Sequence, residues 1–467
     1  MMTTIERPRT VGELRASGYK TLPVREEMRK NLIEKMRRGE EFFPGVYGYD
    51  ETVIPHIVNA ILAGQDIIFL GERGQAKSRI IRSLVSLLDD EMPVLAECEI
   101  PEDPFNPITR HGRDIIAEQG DDAPLEWLPR DQRYGEKLAT PDITIADLIG
   151  EVDPIKVAEG KYLSDELTIH YGLVPRTNRG IFCINEMPDL AERIQVGLLN
   201  IMEERDVQIR GYRVRLPLDV YVVASANPED YTNRGRIITP LKDRYGAQVR
   251  THYPLQVEHE MEIMDAEHTP VPADFNVIVP DYMKEIIAEI SRLARRSPDV
   301  NQRSGVSVRA SIANYESMLA NALRRAIMAK EEVVVPRVSD LPYVIPTLQG
   351  KVEFETVEEG REDQIVEKLI QGAVAAVFGR HFNIAELEPV VQRFKAGVSV
   401  EVGDMVPSND YARLIKDVEG LEESIAPQSG SRTPGENAAA IEFLLEGLHL
   451  NKRLNKDRVG QRVQYRG

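Results

Sequence analysis

The sequence has little cysteine, no long apolar stretch and no internal repeat. Its two cysteines among 467 residues, Cys98 and Cys183, lie too far apart for zinc-ligand spacing, and both sit in apolar runs. We expect buried thiols in a reducing compartment, which predicts a cytoplasmic protein. No run approaches the roughly 18 apolar residues of a membrane-spanning helix, and the N-terminus lacks the apolar core of a signal peptide. These absences predict a soluble chain with no membrane segment.

An overall excess of basic residues is also missing. Asp and Glu total 76 against 58 Lys and Arg, which gives a formal net charge of −18. That balance argues against a nucleic-acid footprint over the whole surface. Residues 451–467 are an exception, with 6 Lys or Arg against 1 Asp, whereas 351–425 have 8 against 16 acidic residues. We expect the basic tail to be solvated, and contact with nucleic acid or an acidic neighbour is the alternative.

A short apolar run leads through a glycine-containing turn into a helical pattern. The run covers residues 67–70, the turn covers 71–78, and apolar residues recur at helical spacing over 80–88. This strand–loop–helix context favours a phosphate-binding loop, and an ordinary turn between strand and helix is the alternative. Backbone N–H groups of residues 74–78 would meet phosphate oxygens at the helix N-terminus.

Three positions in this loop carry specific expectations. Lys77 would reach the β- and γ-phosphates, and the Ser78 hydroxyl would hold Mg²⁺. Ala76 stands where the pattern usually has its second glycine, and alanine tolerates a positive φ less well than glycine. The predicted nucleotide-binding residues of the loop are Gly71, Glu72, Arg73, Gly74, Gln75, Ala76, Lys77, Ser78 and Arg79.

Two further apolar runs end in polar residues. The run at 180–184 leads into Asn185 and Glu186, and the run at 220–226 leads into Asn227. Glu186 is the candidate base that orients and polarises the attacking water, and Asn227 could sense the γ-phosphate. Asn185 could accept a hydrogen bond from Mg²⁺-bound water but brings no charge, so we expect weak metal binding or slow turnover. A strand that merely ends in polar residues is the alternative.

The order of these patterns predicts an α/β fold. Strand-like runs alternate with helical patterns, which indicates a mainly parallel sheet with helices on both faces and a ligand at the carboxyl ends of its strands. Residues 101–142 are rich in proline and charge, so we predict an insertion or long functional loop there. A helix at 190–203 and a hairpin at 207–216 follow, and amphipathic helices at 281–296 and 308–330 predict a separate helical domain.

Taken together, these residues resemble the AAA+ ATPases, and within them the magnesium-chelatase I subunits and the MoxR proteins. The landmarks appear in the family's order over about residues 40–345. The 71–78 loop resembles Walker A, 181–186 resembles Walker B, and Asn227 resembles the first sensor. Other landmarks are similar to an adenine-side segment at Val46, Tyr47 and Gly48, an arginine finger at Arg244 and a second sensor at Arg309.

The resemblance implies a domain layout. We expect an N-terminal leader at 1–42, then an AAA+ P-loop core with a mainly parallel sheet at 43–270, which contains the 101–142 insertion. A small α-helical lid domain at 271–350 follows the core. The C-terminal region is expected to be mostly helical and acidic at 351–425, and to end in a linker, a short helix and a basic tail at 426–467.

The resemblance also implies a ring mechanism with ATP and Mg²⁺ as cofactors. ATP would bind between neighbouring subunits of a homo-oligomeric, hexameric ring. Glu186 and Asn227 would act from one subunit, with Ser78 and Asn185 on the metal side. Arg244 would act in trans on the transferring phosphoryl group, and Arg309 would couple hydrolysis to the lid. Such proteins act with a von Willebrand A-domain partner in metal insertion or client maturation.

Other functions remain open at this stage. A nucleotide-dependent scaffold or switch that scarcely hydrolyses ATP is favoured by Asn185. An AAA+ transcription activator is disfavoured because the chain lacks the Gly-Ala-Phe-Thr-Gly-Ala loop and a helix-turn-helix signature. In a DNA helicase Arg210, Arg213 and Arg215 of the hairpin could line a pore, but the acidic balance makes nucleic acid an unexpected partner.

Overall fold

The computed structural model describes residues 7–153, 166–204, 206–208, 215–227, 236–355, 361–430, 433–459 and 462–467. The chain divides into two compact units. The first contains Met1–Glu72 and Ala76–His252, and the second contains Arg73–Gln75 and Tyr253–Gly467. None of the helices in the described ranges is both long enough and apolar enough to cross a membrane.

The first unit alternates helices and strands. Its helices are α1 (Val11–Ala16), α2 (Val24–Arg38), α3 (Val53–Leu62), α4 (Lys77–Ser83), α5 (Arg110–Gln119), α6 (Ile145–Leu148), α7 (Leu173–Arg176), α8 (Glu192–Glu204) and α9 (Thr239–Arg244). Its strands are β1 (Ile67–Leu70), β2 (Glu91–Leu95), β3 (Leu125–Pro129), β4 (Tyr134–Leu138), β5 (Gly150–Val152), β6 (Ile169–Tyr171), β7 (Gly180–Asn185), β8 (Asp206–Gln208), β9 (Arg215–Pro217), β10 (Val220–Ala226) and β11 (Ala247–Arg250).

A five-stranded parallel sheet forms the centre of this unit. Its strand order is β11-β1-β10-β7-β4, and every neighbouring pair is parallel. The predicted α/β fold with a mainly parallel sheet is therefore confirmed. The predicted hairpin is present as the antiparallel pair β8–β9, and its connecting residues, including Arg210 and Arg213, lie outside the described residues.

Burial on both faces explains the apolar runs of β7 and β10. Successive residues of β7 alternate between two hydrophobic cores, with Phe182 and Ile184 in one and Ile181 and Cys183 in the other. A strand alternates its side chains between the two faces of a sheet, so a strand covered on both sides reads as continuously apolar. Charged side chains are then expected only where such a strand ends, and polar ones within it need hydrogen-bond partners.

The segment 101–142, predicted as an insertion or long loop, is not an irregular loop. It folds into α5, β3 and β4, and β4 forms one edge of the central sheet by pairing with β7. Its prolines and charges hid these elements, because an edge strand has fewer buried positions than a central one. Strand β2, which precedes this segment, pairs antiparallel with β3 outside the central sheet.

The N-terminal residues belong to the core of the first unit. Val24, Met28 and Leu32 of α2 are buried in the same hydrophobic cluster as β1. Glu27 of α2 also forms a buried ion pair with Arg133, whose two terminal nitrogens lie 2.7 and 2.6 Å from the carboxylate oxygens. The segment expected as a leader is thus joined to the sheet by apolar and ionic contacts.

The second unit is mostly helical. Its helices are α10 (Val257–Glu267), α11 (Asp281–Ala294), α12 (Val308–Ala329), α13 (Ile345–Gln349), α14 (Arg361–His381), α15 (Glu388–Lys395), α16 (Tyr411–Asp417), α17 (Leu421–Ile425) and α18 (Pro434–Leu450). Its strands are β12 (Asn276–Val277), β13 (Val333–Val334), β14 (Ser399–Val402), β15 (Asn455–Val459) and β16 (Arg462–Arg466). One hydrophobic core, with members from Met264 to Tyr465, joins the portions expected as lid, acidic region and tail.

The end of the chain is folded, and its basic residues are exposed as predicted. β15 and β16 pair with each other and β16 pairs with β14, while the six Lys and Arg residues of 451–467 are exposed. The linker expected after residue 425 overlaps the start of α18, where Thr433 and Glu436 form a capping box. The helix expected after it is α18, which is mostly buried, and its Glu446 accepts hydrogen bonds from Lys456 and Tyr465 of β15 and β16.

The buried ion pair in the first unit predicts a large stability effect. Replacing Arg133 by methionine leaves the Glu27 carboxylate buried without its cation, which typically costs about 3–5 kcal/mol. We expect urea unfolding, followed by fluorescence of the single tryptophan Trp127 on β3, to shift strongly to lower urea concentration. Arg15→Met is the control, because the Arg15–Asp121 pair is 62% exposed on both sides and should change stability by less than about 1 kcal/mol. Equal shifts in the two variants would contradict the assignment.

Candidate functional site

The loop between β1 and α4 has the geometry expected of a phosphate-binding loop. Gly74 has φ +75° and Ala76 has φ +55°, and α4 begins at Lys77 directly after Ala76. Ala76 is therefore in the left-handed region, where alanine is strained and glycine is not. The first turn of α4 carries Lys77, Ser78 and Arg79, so the backbone N–H groups of this turn face the loop.

Three predicted residues meet in one chain of hydrogen bonds. The Lys77 ammonium, itself 7% exposed, donates to the Asn227 side-chain oxygen over 2.7 Å. The Asn227 amide nitrogen donates to a Glu186 carboxylate oxygen over 2.6 Å. An ammonium only donates and a carboxylate only accepts, so this chain fixes which way the Asn227 amide points. The residues of α4, β7 and β10 thus converge at the carboxyl edge of the sheet.

Lys77 also contacts its own loop. Its ammonium donates to the carbonyl oxygen of Gly71 and, over 2.7 Å, to that of Glu72. Glu186 follows β7 in a left-handed conformation, with φ +55°, and its backbone N–H donates to the Ser225 hydroxyl over 3.2 Å. The turn at Glu186 directs its carboxylate back across the sheet edge toward Asn227.

Asn185 is held by two neighbouring strands. The Ser225 hydroxyl of β10 donates to its side-chain oxygen over 3.1 Å, and its amide nitrogen donates to Glu136 of β4. Glu136 also accepts hydrogen bonds from the guanidinium of Arg82 at 2.9 and 3.0 Å and from the Tyr134 hydroxyl at 3.0 Å. Burial opposes ionisation of Glu136, but the hydrogen bonds from Arg82 and Tyr134 outweigh it and lower its pKa, which keeps the carboxylate charged.

Glu136 and Arg82 are the site residues that the sequence analysis missed. Glu136 lies in the segment interpreted as an insertion, and Arg82 lies beyond the recognised loop motif. Residues 134–138 read Tyr-Gly-Glu-Lys-Leu and do not alternate apolar with polar residues, so no local strand pattern pointed to Glu136.

The donors available for Mg²⁺ fit a nucleotide-bound cation better than a protein-only metal site. Ser78 offers a hydroxyl at the exposed start of α4, and Asn185 offers an amide oxygen. In the part of the chain that the structure describes, no three His, Cys, Asp or Glu side chains group together as a metal site. Magnesium bound to a nucleotide takes few protein ligands and keeps several waters, which matches this sparse set.

The adenine-side segment is tied to the loop helix. Val46 is buried, Gly48 has φ +73°, and the Arg79 guanidinium donates to the Gly45 carbonyl oxygen over 2.9 Å. Val46, Tyr47 and Gly48 therefore lie in a segment whose position depends on the first turn of α4.

The two predicted arginines lie in different units. Arg244 is at the end of α9, 40% exposed, and pairs with Glu203 of α8. A surface arginine that only forms an ion pair is the alternative to an arginine finger. The pair with Glu203 leaves the Arg244 guanidinium accessible at the surface of the first unit. Arg309 is exposed in the first turn of α12 in the second unit, and its backbone N–H donates to the helix-capping hydroxyl of Ser307.

The two cysteines are free thiols. Cys183 is buried in β7, whereas Cys98 is partly buried in the turn after β2 and not in a strand. Burial raises the pKa of each thiol to about 12. Both therefore stay protonated and unreactive near neutral pH.

Comparison with known proteins identifies the class. The model of the sigma-54 interaction domain matches residues 158–241, less than half of the chain. The magnesium-chelatase 38 kDa subunit of Cereibacter sphaeroides is 26% identical over 241 residues, 48% of this chain and 65% of its own length. The magnesium-chelatase subunit ChlI of Nostoc sp. is 24% identical over 374 residues, 74% of this chain and 91% of its own. The chain is thus similar to AAA+ proteins of the magnesium-chelatase type.

Other relatives extend the comparison. The uncharacterized protein YeaC of Bacillus subtilis is 26% identical over 50% of this chain and 74% of its own length. A cryo-EM-based structure of subunits BchI and BchD of magnesium chelatase covers 70% of this chain and 99% of that chain, at 20% identity and a TM-score of 0.34. A TM-score this low supports no functional statement.

The conformation of Ala76 predicts a stabilising substitution. Ala76→Gly relieves about 1–2 kcal/mol of left-handed strain and costs about 0.4–1 kcal/mol through the freer unfolded chain. We expect a net gain between about zero and 1.5 kcal/mol in urea unfolding of the first unit, with nucleotide binding retained. Ala63→Gly is the control: Ala63 is exposed with φ −80°, so the same change should only destabilise. A loss of stability in Ala76→Gly equal to the control would contradict the strain.

Proposed function

We propose that this chain is an ATP-hydrolysing ring protein of the chelatase and MoxR type. The observation that carries the proposal is the hydrogen-bond chain from Lys77 through Asn227 to Glu186. It links a phosphate-binding cation, a sensing amide and a candidate base at the edge of one sheet. These are the groups that phosphoryl transfer to water requires.

The same chain supports a mechanism for sensing the nucleotide. An ammonium has three N–H donors, and those of Lys77 are directed at Gly71, Glu72 and Asn227. Phosphate oxygens entering the loop would compete with these acceptors for the ammonium. Release of Asn227 from Lys77 would then let its amide follow the γ-phosphate while Glu186 orients the attacking water. Mg²⁺, held by Ser78 and Asn185, would neutralise charge on the phosphates.

We further propose that each site is completed by a neighbouring subunit. Arg244 is exposed, and its surface pair with Glu203 is weak enough to exchange for a phosphate. A guanidinium supplied in trans would stabilise charge on the transferring phosphoryl group. Arg309 would act from the lid helix α12 and couple hydrolysis to its movement. A homo-hexameric ring follows from this arrangement by analogy with the class.

Client and partner are proposed from the resemblance to the chelatase and MoxR proteins. That resemblance suggests metal insertion or protein maturation, together with a von Willebrand A-domain protein. The free cysteines suggest the cytoplasm. A second candidate is a nucleotide-dependent scaffold or switch that hydrolyses ATP slowly, because Asn185 brings no charge to the metal side of the site.

Turnover should depend on assembly. We expect Mg²⁺-dependent phosphate release per subunit to rise with protein concentration, because the site needs two subunits. Lys77→Ala should abolish it by removing the cation that binds the phosphates. Tight ATP binding by the unmodified chain without turnover at any concentration would favour the switch over the hydrolase.

Mixing two inactive variants tests the shared site. Arg244→Ala keeps Lys77 and Glu186 but supplies no finger, and Glu186→Gln supplies the finger but lacks the base. We expect each variant alone to lose about a thousandfold or more in turnover, the size known for arginine fingers, and a mixture to regain activity. The matched control is Arg244→Ala mixed with the double variant Arg244→Ala/Glu186→Gln, in which no subunit carries a finger. Recovery in that control, or none in the first mixture, would refute action in trans.

A further inference from the structure

Glu136 is a charged side chain beside the Walker B position for which the proposed function gives no role. It lies on β4, in register with Cys183 of β7, and so shares the sheet face of Cys183 and Asn185. That face packs against α4, since Cys183 belongs to the same hydrophobic cluster as Ile80 and Ile81. Glu136 therefore faces the helix that carries Ser78 and the phosphate-binding lysine.

The contact between Glu136 and Asn185 fixes the orientation of the amide. A carboxylate can only accept, so the nitrogen of Asn185 must face Glu136 and its oxygen must face the opposite way. The Ser225 hydroxyl, which donates to that oxygen over 3.1 Å, agrees with this orientation. The same hydroxyl accepts the backbone N–H of Glu186, so the contact is connected to the catalytic turn.

We propose that Glu136 and Asn185 together replace the single carboxylate expected at position 185. In this division Glu136 carries the negative charge, and Asn185 presents an acceptor oxygen to the cation that accompanies the nucleotide. Glu136 is thus a positioning residue that acts through Asn185. The inference rests on the proposed function, because it assumes that a Mg²⁺–nucleotide complex binds at the Lys77 loop.

The ion pair with Arg82 does not cancel this role. The Arg82 side chain is 63% exposed, whereas that of Glu136 is 22% exposed. Water screens the outer pair, and exposed pairs contribute little energy. The contact with Asn185 lies on the inner side, where charge is screened less.

This arrangement makes the consensus residue unfavourable. An aspartate at position 185 would place two carboxylates in hydrogen-bond contact, so one of them would have to take up a proton or move away. A glutamine at position 136 would relieve the conflict, because its amide can donate to the carboxylate that Asn185→Asp introduces. In the double variant the negative charge would lie on β7 instead of β4.

The test is a double-mutant cycle of Glu136→Gln, Asn185→Asp and the double variant, read out by metal-dependent binding. The measured quantity is the ratio of ADP affinities with Mn²⁺ and with EDTA, supported by the electron paramagnetic resonance of bound Mn²⁺. We expect Glu136→Gln to lower the ratio about tenfold or more, as for other outer-shell partners of metal ligands. Asn185→Asp alone should not raise it, and the double variant should recover to within about threefold of the unmodified chain.

Two controls separate the proposal from a structural role. Arg82→Ala removes only the ion pair, so it should change the ratio less than Glu136→Gln. Glu91→Gln, which removes a carboxylate paired with Arg7, should leave the ratio unchanged. If Glu136→Gln alone does not fold, the affinity ratio of Asn185→Asp compared with that of the double variant still tests the proposal.

The outcomes distinguish failure of this inference from failure of the proposed function. Metal-dependent binding by the unmodified chain, with an unchanged ratio in Glu136→Gln or a higher ratio in Asn185→Asp, would overturn the inference alone. Equal effects of Arg82→Ala and Glu136→Gln would also overturn it. No metal-dependent nucleotide binding by the unmodified chain would overturn the proposed function as well.

Discussion

Burial of β7 and β10 on both faces of the sheet is the constraint on which the site depends. Every residue of β10 from Val220 to Ala226 is buried, as are the residues of β7 up to Ile184. An unpaired polar group within these strands would cost free energy, so the strands can carry polar chemistry only where they end. Because the strands are parallel and adjacent, their ends place Asn185, Glu186 and Asn227 at one edge.

Helix α2 affects the position of this edge of the sheet indirectly. The pair between Glu27 and Arg133 anchors α2 beside the start of β4, and Arg133 also donates to the carbonyl oxygen of Arg179, directly before β7. Helix α2 therefore helps to set where β4 and β7 begin. Since strand register is set along the whole pairing, this contact at one end influences the position of Glu136 relative to Asn185 at the other.

The sequence predicted the central part of the site because its signals are local. The glycine turn before Lys77 and the apolar strands before Glu186 and Asn227 can each be recognised within about ten residues, and parallel strands bring their ends together by rule. Glu136 could not be predicted in this way. Its strand is a short edge strand without a continuous apolar run, and its partner Asn185 is a sequence-distant residue known only from the register of β4 on β7.

The C-terminal strands could not be predicted for a similar physical reason. The basic residues of 451–467 are exposed, as their charge predicts, but the strands that carry them leave no mark in the composition. Tyr465 is buried and Lys456 pairs with the buried Glu446, and these contacts hold β15 and β16 to the unit. Composition predicts the exposure of charged side chains but not the pairing of a short strand with a distant one such as β14.

The position of the negative charge affects how tightly the site would bind a cation. A carboxylate at the end of β7 would meet the cation directly, whereas Glu136 on the edge strand is partly exposed and also contacts Arg82. Electrostatic coupling weakens with distance and with access of water, so a charge held on β4 should bind the cation less tightly than one held on β7. Such a site would still bind a nucleotide through Lys77, while its metal affinity would depend on the Asn185 amide remaining oriented. Under the proposed function, a shift of β4 relative to β7 would alter metal binding without disturbing the phosphate loop, because Glu136 lies on β4 and Lys77 does not.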